Sequence, residues 1–121
     1  MAKLRVMLAE DDLTMVNLLK TLLKMEGFEV VVLDADDDVV KAVSEHCPDI
    51  LLMDINLSHQ NGLEILKSIR HSPTVCNARV IMTSGLNLKE ECLKSGANGF
   101  LLKPYMPDDL IQMLKGNHSL S

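Results

Sequence analysis

Five short apolar runs recur along the chain, at 4–9 (LRVMLA), 28–33 (FEVVVL), 49–53 (DILLM), 79–84 (RVIMTS) and 99–102 (GFLL). They are too continuous for strands with one wet face and suit a parallel sheet covered on both sides. An amphipathic stretch follows each run. Between Leu13 and Met25, the residues Val16, Leu19, Leu22 and Leu23 share a helical face, and Glu26-Gly27 supplies a glycine stop. Asp36, Asp37 and Asp38 stand at the start of a second helix, where carboxylates cap the free N–H groups and suit the dipole; that reading outweighs a metal role. Asn61-Gly62 opens a third helix carrying Leu63, Leu66 and Ile69. A fourth is expected from about Leu88 to Lys94, ended by Ser95-Gly96, and a fifth after Pro107 with Asp108 and Asp109 in its first turn. The alternation predicts an α/β fold of (βα)5 type: a doubly wound, five-stranded parallel sheet with helices on both faces.

Length and composition narrow the function classes. A chain of 121 residues suits one domain, with 3–115 as its core and 116–121 as a tail or the start of a linker. Hydrophobic residues make up 47% and aromatic ones 2%, so the core is aliphatic. Met7, Met15, Met25, Met53, Met82 and Met113 read as core filler. A net charge of −5 argues against nucleic acid or an anionic membrane as a partner of this chain. No apolar run approaches the roughly 20 residues of a membrane span, and Arg5, Glu10, Asp11 and Asp12 break up any signal-peptide core. Cys47, Cys76 and Cys92 are odd in number and lack metal spacing; they read as free thiols in a reducing cytosol. His46 beside Cys47 reads as a helix-end residue.

Ligands of open α/β sheets bind beyond the carboxyl ends of the strands. In this sequence the polar residues gather there. The first strand ends in Glu10-Asp11-Asp12, the third in Asp54, the fourth in Thr83-Ser84-Gly85 and the fifth in Lys103-Pro104. Three neighbouring carboxylates repel one another unless a cation intervenes, and oxygen donors without His or Cys select a hard ion such as Mg²⁺. A lysine and a serine beside them suit the handling of a phosphoryl group, with one carboxylate as nucleophile. Asp54, on the central strand, is the best nucleophile.

In these ordered motifs the sequence, from residue 3 to about 115, resembles the receiver domains of two-component response regulators, chemotaxis receivers included. The acidic pair matches Glu10 and Asp11, the phosphoacceptor Asp54, the hydroxyl position Ser84 before Gly85, the switch aromatic Phe100, and the Lys-Pro pair Lys103-Pro104. The resemblance implies a flavodoxin-like fold and a phosphorelay function in the cytoplasm, not an enzyme beyond its own phosphorylation and dephosphorylation. Asp54 would accept a phosphoryl group from a sensor histidine kinase or a histidine phosphotransfer protein. Mg²⁺ would be held by Asp11, Asp54 and the backbone carbonyl of Asn56, with Glu10 acting through water. Lys103 and Ser84 would bind phosphoryl oxygens, Phe100 would turn inward, and the Lys103–Pro104 peptide would be cis. Output would pass to a downstream protein or a covalently linked output domain, with no nucleic acid contacted by this chain and no membrane. A phosphorylation-linked dimer through the fourth helix, fifth strand and fifth helix is one form it allows. On that face Leu86, Leu88, Tyr105, Met106 and Leu110 are expected to form an apolar patch.

Three departures from the family pattern stand out. Ser58 replaces the usual Pro four residues after the phosphoacceptor, so that loop is expected to be more mobile. The Ser84-to-Lys103 span is short, so the fourth helix is expected to be trimmed or shifted. Asn56 and Leu86 occupy the two variable positions bordering the phosphoryl group. The rival functions are a receiver-like binding module that works without phosphorylation and an aspartyl-phosphate phosphatase. The intact acidic set opposes the first. Asn56, where the second needs an aspartic general acid, opposes the other.

Overall fold

The computed structural model describes residues 3–34, 36–57, 60–72 and 77–115. Five strands, β1 (Arg5–Ala9), β2 (Glu29–Val32), β3 (Ile50–Asp54), β4 (Arg79–Ser84) and β5 (Gly99–Leu102), pair in parallel in the order β2-β1-β3-β4-β5. Five helices connect and follow them: α1 (Leu13–Met25), α2 (Val39–His46), α3 (Gly62–His71), α4 (Lys89–Lys94) and α5 (Pro107–Leu114). This is the doubly wound (βα)5 arrangement expected from the sequence.

Strand alternation sorts the core into two layers. Met7, Leu51, Met53, Val80, Met82 and Phe100 face α2 and α3, through Val43, Leu66 and Ile69. Val6, Leu8, Ile50, Leu52, Ile81 and Leu101 face α1 and α5, through Leu19, Leu23, Leu110 and Leu114. Both faces of the central strands are buried, which is why their sequences read as unbroken apolar runs.

Local chemistry sets the helix ends. The Asp12 side chain accepts from the Thr14 and Met15 N–H groups, Asp38 from Lys41, and Asn61 from Leu63 and Glu64. Gly27 and Gly96 take positive φ after α1 and α4, at +94° and +108°, where a side chain would be strained. The α4 helix has only six residues and no side-chain cap. Its far end is held instead by Arg70 of α3, which donates to the Gly96 and Ala78 carbonyls and to Asn98 Oδ1.

Several expectations need correction. Leu110 is fully buried on the sheet-facing side of α5, and Leu88 packs partly against the α2–α3 layer, so neither belongs to an exposed patch. Met25 lies 77% exposed rather than in the core, because it is the last residue of α1, past the buried stripe. Cys47 is disulfide-bonded, whereas Cys92 is a free, buried thiol; Cys76 and Ser58 lie outside the described residues. A two-residue antiparallel ladder, Asn56–Leu57 with Gln60–Asn61, was not expected; it is too short to leave a periodic signal.

Candidate functional site

The carboxyl ends of β1, β3, β4 and β5 bring the polar residues together. Asp54 closes β3 and stands opposite Thr83 in the ladder with β4. It follows Ile50 and Leu52 in the strand alternation, on the α1–α5 side of the sheet. Glu10 extends the same face beyond Leu8, and Lys103 extends it beyond Leu101. The structure joins these three directly. Lys103 Nζ lies 2.7 Å from Asp54 Oδ2 and 3.1 Å from Glu10 Oε1.

Each carboxylate has a second donor. The Asn56 N–H donates to Asp54 Oδ1 at 3.1 Å, and the Asp12 N–H donates to Glu10 Oε2 at 3.1 Å. Glu10 and Asp54 are both buried and Asp11 is exposed, yet one oxygen from each lies within 4.8 Å of the others. One ammonium therefore bridges two of three closely gathered carboxylates. Burial pushes Glu10 above the usual carboxylate range and the Asp54 charge adds to this; the Asp12 and Lys103 contacts oppose it without cancelling it. Burial by itself pulls Lys103 down, but its bonds to Asp54 and Glu10 more than reverse that, so the ammonium is held above its ordinary range. An oxygen-only donor set with surplus negative charge fits a hard divalent cation.

The remaining sequence-predicted residues sit around this centre. Ser84 is buried at the end of β4, and its Oγ accepts from the Leu86 N–H at 3.0 Å. Phe100 lies on the opposite face of the sheet from Asp54, its ring already packed into the α2–α3 layer. The Lys103–Pro104 peptide is cis. Asn56 is exposed and contributes its N–H to Asp54; Leu86 and Met106 are exposed nearby in sequence.

Three residues have a place here that the sequence reading did not give them. Gly62 was read only as a helix opener. A Cβ there would come within 2.7 Å of the Asp54 carbonyl and of Ile55 Cα, so α3 can approach the end of β3 only with glycine at this position. Thr83 and Tyr105 carry buried hydroxyls without a hydrogen-bond partner. For Thr83 the one available signal is a polar residue within an apolar run. Tyr105 packs on the α1–α5 layer instead of contributing to an exposed patch.

Residues 6–115 match the family described as response regulator receiver domain. Among curated relatives, the chain is 30% identical to the chemotaxis protein CheY of Bacillus subtilis, over 91% of this chain and 93% of CheY. It is 31% identical to the transcriptional regulatory protein TrcR of Mycobacterium tuberculosis over 93% of its own length, but spans only 44% of TrcR. Among solved structures, the receiver domain of the Francisella response regulator 1452 superposes with a TM-score of 0.86 at 27% identity, covering 93% of this chain and 94% of that one. The family match runs through the same strand ends that assemble the acidic centre. The chain belongs to the response regulator receiver domain family, and its role is that of a receiver in two-component phosphorelay.

Proposed function

We propose that Asp54 is the phosphoacceptor of this receiver and that residues 3–115 act as one receiver unit. The observation that carries this is the approach of Lys103 Nζ to 2.7 Å from Asp54, with oxygens of Glu10 and Asp11 gathered beside it. An Asp54 oxygen attacks phosphorus, the P–N bond to a donor phosphohistidine breaks, and its electron pair returns to the imidazole. The donor is a sensor histidine kinase or a histidine phosphotransfer protein, and the setting is the cytoplasm. Among the described residues no helix is long and apolar enough to cross a membrane. The chain is a regulatory acceptor, catalysing at most its own phosphorylation and dephosphorylation.

Asp11, Asp54 and the Asn56 carbonyl would hold Mg²⁺, with Glu10 acting through water, and the ion when bound would neutralise phosphoryl oxygens. Lys103 moves from the Asp54 carboxylate to a phosphoryl oxygen, following the charge. The Ser84 hydroxyl, whose oxygen accepts from Leu86, keeps its own proton free to donate to another phosphoryl oxygen. Phe100, in the strand that leads to Lys103, carries the change to the α4–β5–α5 face. There it alters contact with a downstream protein or a linked output domain, or favours a dimer.

Incubation with acetyl phosphate and Mg²⁺ should add one phosphoryl group, detected by intact-protein mass. The addition should vanish in Asp54→Asn. Full uptake by that variant would move the acceptor elsewhere.

A further inference from the structure

Among the described residues, two buried side-chain polar atoms lack a hydrogen-bond partner, the hydroxyls of Thr83 and Tyr105. Buried polar atoms are nearly always paired. That both orphans lie at the same end of the same sheet calls for a physical reason. Thr83 stands opposite Asp54 in the ladder, and Tyr105 follows Lys103 by two residues.

The Tyr105 ring packs against the α1–α5 layer, the side of the sheet that carries Glu10, Asp54 and Lys103. Burial pushes its phenol up to about 12, and the Glu10 charge reinforces that rise. At neutral pH the group is a neutral O–H donor on the same side of the sheet as the buried Glu10 carboxylate. Glu10 is currently served by two donors, the Asp12 N–H and Lys103 Nζ. When Asp54 carries a phosphoryl group, Lys103 is drawn to the phosphoryl oxygens, and Glu10 loses one of the two. The Tyr105 hydroxyl, desolvated, without a partner and on the same side of the sheet, is a group able to replace it.

We propose that Tyr105 is a positioning residue of the phosphorylated state, its hydroxyl donating to Glu10 once Lys103 has moved onto the phosphoryl group. The resting state thus holds an unpaired donor that the phosphorylated state satisfies, which biases the equilibrium toward phosphorylation. The inference rests on the reading of Asp54 as the phosphoacceptor.

The test compares wild type, Tyr105→Phe and Asp54→Asn in Mg²⁺, with beryllofluoride as the phosphoryl mimic and melting temperature as the readout. Without the mimic, Tyr105→Phe should melt at or above wild type, because an unpaired buried hydroxyl has been removed. With it, half-saturation should need about fivefold more beryllofluoride than wild type, the equilibrium equivalent of one ordinary hydrogen bond. Tyr105 is the chain's one tyrosine and there is no tryptophan. Intrinsic emission therefore reports this ring alone, and it should change on adding the mimic to wild type but not to Asp54→Asn. Equal half-saturation in wild type and Tyr105→Phe, or unchanged emission from a wild type stabilised by the mimic, overturns the role of Tyr105. A wild type that beryllofluoride fails to stabilise overturns the reading of Asp54, and this inference with it.

Discussion

At Lys103 a single ammonium answers two buried carboxylates, 3.1 Å from Glu10 and 2.7 Å from Asp54. The two sides of this contact respond to pH in opposite senses. The Lys103 contribution to stability is complete below its ordinary value of 10.5 and fades as pH rises through its raised folded value. Glu10, raised by burial, costs stability when ionised; the cost is present at neutral pH and is relieved as pH falls toward 4.5. Lys103→Met should therefore destabilise the protein by about 3 kcal/mol at pH 7, the low end for breaking a buried pair. The loss should shrink as pH falls toward 4.5, because Glu10, raised by burial, takes up its proton on the way and its repulsion with the other carboxylates is relieved. Urea unfolding at the two pH values measures this, and an equal loss at both would mean that Glu10 is not the strained partner. The gathering of Glu10, Asp54 and Lys103 was legible because charges at the ends of apolar runs are rare. The unpaired hydroxyls of Thr83 and Tyr105 were not, since whether a hydroxyl finds a partner depends on neighbours from other strands.

The strands and helices themselves were readable because their signals are local: continuous apolar runs, and Asp12, Asp38 and Asn61 at the first turns of α1, α2 and α3. What failed depended on packing between elements. Leu110 looked like a surface residue because eight residues of α5 do not reveal which side meets the sheet. The bonding of Cys47 likewise rests on tertiary proximity and not on spacing. Gly62 is the clearest case, for its partners are the backbone atoms at the end of β3. Gly62→Ala would bring a Cβ within 2.7 Å of two of them, so β3 and α3 must separate. The expected loss is about 2 kcal/mol, typical of overpacking, together with slower phosphoryl uptake because the Asp54 backbone shifts. Gly85→Ala is the control; a Cβ there meets nothing within 4 Å, and stability should hardly change. Urea midpoints of the two variants decide the matter. A Gly62→Ala protein as stable as Gly85→Ala would show that α3 has room to move.

Across the whole molecule, the site was predictable because the parallel topology delivers every strand's carboxyl end to one edge, so four separate sequence positions had to converge. The sequence does not disclose how far the charges there remain unbalanced. Glu10 and Asp54 share Lys103, and one oxygen from each of Glu10, Asp11 and Asp54 lies within 4.8 Å of the others. The fold holds this repulsion with its two apolar layers, so a cation that relieves it must stabilise the entire domain. Binding to the folded state alone contributes about 1.4 kcal/mol when Mg²⁺ reaches ten times its dissociation constant. For a chain of this size that corresponds to a rise of about 5 °C in melting temperature. The rise should exceed that produced by sodium chloride at equal ionic strength, since screening acts weakly on buried charges. It should largely disappear in Asp11→Asn, which removes one donor and one charge from the exposed side of the cluster without emptying the core. A melting temperature that stays fixed from zero to roughly 30 mM Mg²⁺, a range set by weak carboxylate sites, would show that the three carboxylates are balanced without an ion.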